Sequence, residues 1–123
     1  MRRQQNPHEA YRRVDFDARV NGAKPADLVH LCYEHLVSAL STAVHAHGIG
    51  DNGLRSRSLT RALTAITALQ LGISGESSMA GALTQLYAAA QRTILDSAVE
   101  FEPRRIETLR SDFAEIGRAL QGG

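Results

Sequence analysis

The sequence predicts an all-α fold: an antiparallel up-down-up-down four-helix bundle preceded by a flexible or docked N-terminal arm. Three observations carry this expectation. Apolar residues recur at helical spacing in four segments after residue 24, and the breaks between those segments are short and rich in Gly, Asp, Asn or Pro. The composition is 43% apolar, with only three Phe, three Tyr and no Trp, so the core must be aliphatic and Ala-rich, which favours helix packing over sheet. Short connections make consecutive helices antiparallel neighbours. At 123 residues the chain is one domain's worth, read as an arm over residues 1–23 and a bundle over 24–121, with no internal repeat.

Each element has its own justification. Residues 1–23 are polar with isolated apolar groups at Tyr11, Val14, Phe16 and Val20, the pattern of an arm with a few anchors. The first helix runs from Pro25 to about His47. Pro25 suits a first helical position, where a missing amide hydrogen costs nothing, whereas Lys24 is a poor cap. Its core-facing stripe is Leu28, Val29, Cys32, Leu36, Ala39, Leu40 and Ala43. Beside it Tyr33, Val37 and Val44 widen the apolar arc to roughly half the cylinder, where a one-sided surface helix needs only about 100°. Such a helix is either central in its own bundle or carries a shoulder for a partner.

The turn that follows, residues 47–53, offers Asp51 or Asn52 as a cap for a second helix from about Gly53 to Leu71. Leu59, Ala62, Leu63, Ile66 and Leu69 form its stripe, with Ile73 in line beyond, and Arg55, Arg57 and Arg61 mark other faces. Gly72 to Gly75 ends it. A third helix starts at Ser77 or Ser78 and reaches about Val99. Its stripe is Met79, Leu83, Leu86, Tyr87, Ala90 and Ile94, while Ala82, Ala88, Ala89, Leu95 and Val99 leave other sides small or apolar. The fourth helix, from Pro103 to just before Gly122, has a narrow stripe of Ile106, Leu109, Phe113, Ile116 and Leu120 and reads as an ordinary outer helix.

Charge and motif content exclude several classes of function. The 14 basic and 13 acidic side chains leave a formal charge of +1, so no net field draws in a polyanion. The pairs Arg12-Arg13 and Arg104-Arg105 and the group Arg55, Arg57 and Arg61 are scattered and have no interleaved aromatics, which argues against nucleic acid. Five histidines invite a metal reading. His30 and Glu34 stand one turn apart, yet no Glu-x-x-His, His-Glu-x-x-His or paired-Cys spacing occurs, so no metal or other cofactor is expected. No nucleophile elbow or phosphate loop is present, and Glu107, Asp112 and Glu115 lie off the fourth stripe; an enzyme is not expected. Cys32 is alone on an apolar face, the place of a buried inert thiol in a reducing compartment. The basic start has no apolar run behind it and no stretch approaches the roughly 20 apolar residues of a membrane span, so a cytosolic location is expected, with no membrane insertion.

What remains is apolar recognition of another protein. Tyr11, the Pro25-x-x-Leu28 helix start, the pair Tyr33-Glu34 and the later pair Leu86-Tyr87 follow one another in an order and spacing that resembles the flagellar secretion chaperone family FliS, from about Tyr11 to Leu120. Ala62, Ile66 and Leu69 fit the family's second helix. Lys24, Cys32 and His35 depart from the usual residues, the second helix ends Leu71-Gly72-Ile73-Ser74, and the family's C-terminal Trp is absent. The resemblance implies a four-helix protein that holds the disordered C-terminal segment of flagellin, prevents premature polymerisation and presents the subunit to the flagellar export gate. It also implies that the arm around Tyr11 can cover the binding surface. Tyr11, Tyr33, Val37, Val44, Leu83, Tyr87, Leu95 and Val99 are the candidate partner-facing groups, of which Leu83 and Tyr87 sit in a core stripe as well. The competing expectation is an interaction module without a flagellin client that buries the same shoulders in a homodimer.

Overall fold

The computed structural model describes residues 25–73 and 78–122. Tyr11 and the whole expected arm lie outside the described residues, as does Ser77. Four helices make up the described chain: α1, Pro25–Gly48; α2, Asn52–Leu71; α3, Ser78–Val99; and α4, Pro103–Gly122. Every boundary falls within about a residue of the periodicity reading. No described helix is long and apolar enough to cross a membrane.

The turns show why the helices stop where they do. After α1 the amides of Ile49 and Asp51 donate to the carbonyls of His45 and Ala46 at 3.1 and 2.9 Å, which satisfies the end of the helix. This return requires Gly50 at φ +72°, a left-handed conformation that costs a glycine nothing. Asp51 then caps α2, its Oδ1 accepting from the Leu54 amide at 3.0 Å. At the other end of α2, the Gly72 amide donates to the carbonyls of Ala68 and Leu69. Before α4, the Glu102 carbonyl accepts from the amides of Arg105 and Ile106, and Pro103 takes the first helical position.

Packing follows from the widths of the apolar arcs. α1, with the widest, lies between α2 and α4, and α3 packs chiefly on α2; the seam between α3 and α4 is the sparsest of the four neighbour pairs. α1 and α3 therefore face each other across one diagonal, and α2 and α4 across the other. Leu36, Leu40, Ile66, Ile94, Ile106 and Phe113 are fully buried at the centre. Each withdraws enough apolar area to contribute roughly 1.5–3 kcal/mol. Cys32 is a buried free thiol, and burial pushes its pKa up.

Several positions depart from the stripe reading. Tyr33 and Tyr87, expected to face a partner, are 3% and 2% exposed. Arg61, assigned to an outer face, is also buried. The fully buried Ser58 one turn away leaves room for its guanidinium, which donates to the Ser58 hydroxyl at 3.4 Å. Conversely Val29, Met79 and Leu120 occupy core-facing positions of their helices and are nevertheless exposed. All three sit at one end, where α1 and α3 begin and α4 finishes, so the core line continues past the last layer that four helices can seal. The opposite end is more closed about Ala46, Ser97 and Ile106, which are buried there, while Ile49 and Val99 stand exposed.

Because one carboxylate caps α2, Asp51→Ala is expected to cost about 1 kcal/mol and to lower the thermal midpoint by roughly 3–6 °C, with Asn52→Ala nearly silent. Equal melting of wild type and Asp51→Ala would show that the cap is not used.

Candidate functional site

Among the described residues a groove lies between α1 and α4 toward the open end. On α1, residues 30, 33, 34, 37 and 38 recur every three or four positions, and residues 113, 114, 117, 118 and 121 do the same on α4, so each set forms one edge of its helix. Together they line a groove of about 300 Å³. Its floor is aromatic, built from Tyr33 and Phe113; Val37, Ala114 and Gly117 form half-buried walls; and Glu34, Ser38, Arg118 and Gln121 stand exposed on the rims beside His30.

Tyr33 is held from three sides. Its hydroxyl is 2.9 Å from that of Tyr87, which reaches across the diagonal from α3. The two rings meet edge to face, with centroids 6.3 Å apart, and Phe113 packs against both at 5.6 and 6.2 Å. One hydroxyl donates and the other accepts, so neither is left unpaired inside the bundle. Burial, reinforced by the bond to Tyr87, pushes the Tyr33 pKa far above the usual tyrosine range, and burial raises that of Tyr87 also. On its outer side the Tyr33 ring meets the backbone of α4: a Cβ built on Gly117 would lie 3.1 Å from Tyr33 Cδ2. Glycine is favoured here by the close approach of the ring, since φ is ordinary.

The rims carry polar groups of both signs. His30 Nε2 lies 3.3 Å from Glu34 Oε2 and 3.4 Å from Gln121 Nε2, so this one ring nitrogen serves either the carboxylate or the amide that reaches it from α4. A greasy floor between polar rims suits an amphipathic helix laid lengthwise, with large side chains pointing down.

The structure gathers some of the sequence candidates and separates others. Tyr33 forms the floor and Val37 a wall. Val44 lies on the same edge of α1 further toward the closed end, half-buried against the core, and Leu83 is half-buried against the core from α3. Tyr87 lies beneath the floor as a support for Tyr33. Leu95 and Val99, 48% and 92% exposed, are not part of the groove. They follow Gln91 along the edge of α3 that bonds Gln70 of α2, on the opposite face of the bundle and toward its closed end.

Sequence reasoning missed the whole α4 side of the groove. The available signal was Ala114 and Gly117, two small residues flanking Phe113 at helical spacing, which leave a notch where a one-sided outer helix would carry bulk. It also missed the cluster at the closed end. There His47 stacks on Phe101 at 4.8 Å, Arg55 lies 5.2 Å over the same ring, and the Arg55 Nη1 is 2.9 Å from His47 Nδ1. This cluster ties both closed-end turns together. A second depression of about 360 Å³, between α3 and α4, is lined by Thr93, Arg104, Arg105, Thr108, Leu109 and Asp112.

The family model described as Flagellar protein FliS matches residues 7–121. No curated protein matches the chain at a significant level.

Two predictions follow from the Tyr33 surroundings. Gly117→Ala gains helix propensity but drives a methyl group into a ring that is pinned at its far end, so it is expected to lose about 1 kcal/mol in denaturant titration. Gly81→Ala, at an exposed helical glycine with nothing within 4 Å, is expected to gain up to about 1 kcal/mol. A gain at both sites would mean that α4 does not approach Tyr33 closely.

The second concerns pH. A tyrosine whose folded pKa lies above its unfolded value of roughly 10 favours the folded state fully below that pH, and the contribution is lost as pH rises beyond it. Denaturation midpoints should therefore fall above about pH 10, preceded by a smaller decline from Cys32, whose shift has the same sign. Tyr33→Phe should be less stable at neutral pH and less sensitive above pH 10. An unaltered alkaline slope would remove the hydroxyl pair from the account.

Proposed function

The chain belongs to the FliS family, whose members are flagellar export chaperones, and from that premise we propose that it holds the C-terminal segment of flagellin in the cytosol through the α1–α4 groove. The observation that carries this reading is the cleft between α1 and α4, where Val37, Ala114 and Gly117 stand half-buried above the buried rings of Tyr33 and Phe113 and between polar rims. A disordered segment that becomes helical on this surface withdraws its large side chains from water at about 25 cal/mol per Å². Ordering it costs several kcal/mol, so one short groove is not enough and a wrapped segment is favoured. Leu95 and Val99 provide a second apolar contact on the opposite face. While its C-terminal segment is held in this way, a subunit cannot use that segment to polymerise, and the complex can be delivered to the flagellar type III export apparatus. The role needs no cofactor and no chemistry.

Isothermal titration with a peptide spanning the flagellin C-terminal segment tests this directly. Wild type is expected to bind in a manner that tolerates high salt, because apolar burial is not screened. Val37→Glu should weaken binding at least about tenfold with helicity retained, and Val99→Glu should weaken it less. Undiminished binding by Val37→Glu would place the client elsewhere. A dimer in sedimentation that ignores the peptide would favour self-association instead.

A further inference from the structure

We propose that Arg118 is a specificity-determining residue of the α1–α4 groove, pairing with a carboxylate on the flank of the docked amphipathic helix and so fixing the direction in which that helix lies. The inference rests on the docking function proposed above. Among the rim side chains, His30 already engages either Glu34 or Gln121 through one ring nitrogen. Arg118 has no such contact: it is exposed on the α4 wall and makes no hydrogen bond or ion pair with any described residue. It stands one turn beyond Ala114 and next to Gly117, so its guanidinium rises from the edge of an apolar floor that a docked helix would cover. A guanidinium there offers a fork that matches a carboxylate, and covering the floor lowers the local dielectric around the pair.

The opposite wall carries the opposite sign. Glu34 of α1 repels a carboxylate and the α4 side attracts one. An amphipathic helix with an acidic residue on one flank of its apolar face can present that flank to α4 in only one of its two lengthwise orientations. Reversing the helix carries the acid to the Glu34 side. The apolar floor is indifferent to this choice, so the rim charges decide it.

The test uses the full chain and the flagellin C-terminal peptide, with peptide variants in which each acidic residue is changed singly to Lys. Arg118→Glu is expected to weaken binding about three- to tenfold at low salt, with the difference shrinking at high salt and the melting temperature unchanged. One acid-to-Lys peptide should bind wild type more weakly and recover affinity for Arg118→Glu. If Arg118→Glu binds like wild type while Val37→Glu fails to bind, the groove is used without this pair and the inference is overturned. It is equally overturned if Arg118→Glu weakens binding but no peptide variant recovers it. If neither Arg118→Glu nor Val37→Glu has an effect, the docking reading of the groove itself falls.

Discussion

The hydroxyl bond between Tyr33 and Tyr87 is the contact on which the arrangement at the open end depends. α1 and α3 are diagonal partners, too far apart for their backbones to pack, and the described structure joins them through two long aromatic side chains that meet in the middle. A buried hydroxyl without a partner costs more than the bond itself gains, so the pair is worth about 1 kcal/mol when made and a larger penalty when half-removed. Its geometric effect is greater than its energy. With the Tyr33 hydroxyl fixed and Phe113 packed against both rings, the ring edge faces α4, where Gly117 lets the backbone come close. The separation of α1 and α4 is thereby set, and with it the width and depth of the groove.

The same contact explains what the sequence could and could not reveal. Helix positions were legible because apolar spacing and breakers act locally: Asp51, Gly50, Gly72 and Pro103 each terminate or start a helix by satisfying backbone groups within a few residues. Which side of a broad apolar arc turns inward is a non-local matter. Val29 and Tyr33 lie one turn apart on nearly the same line of α1, yet helical position put Val29 in the core-facing stripe and Tyr33 on the shoulder beside it. Tyr33 is inside because a second tyrosine, 54 residues later, satisfies its hydroxyl. Val29 is outside because the bundle ends around it. Arg61 is inside as well, with the Ser58 hydroxyl accepting from its guanidinium at 3.4 Å.

The site was legible by halves for a related reason. α1 advertised its shoulder by excess: Val37 and Val44 are more apolar surface than one stripe needs. α4 advertised nothing by that measure, because what it contributes is a shortage of bulk at Ala114 and Gly117. An apolar-periodicity reading registers groups that are present, and a groove is made equally by groups that are absent. Leu95 and Val99 were legible as exposed apolar residues, but their position on the far face depends on how α3 rotates against α2, which the Gln70–Gln91 bond records and the sequence does not.

That separation constrains any partner that uses both surfaces. Counting from the starts of the parallel helices α1 and α3, Val37 and Val99 differ by about nine helical rises, roughly 13–14 Å along the axis, and they look out from opposite faces. No single straight helix touches both, so a client must cross the bundle in at least two pieces joined by a linker. Two modest contacts on one tether give an overall affinity well above either alone, through the effective concentration that the linker provides. The gain vanishes as soon as one contact is released, since the remaining one must then bear the whole cost of ordering the segment. In the proposed role this geometry reconciles firm retention in the cell with stepwise surrender at an export gate: pulling one end of the client free forfeits the tether advantage before the second contact has to be broken.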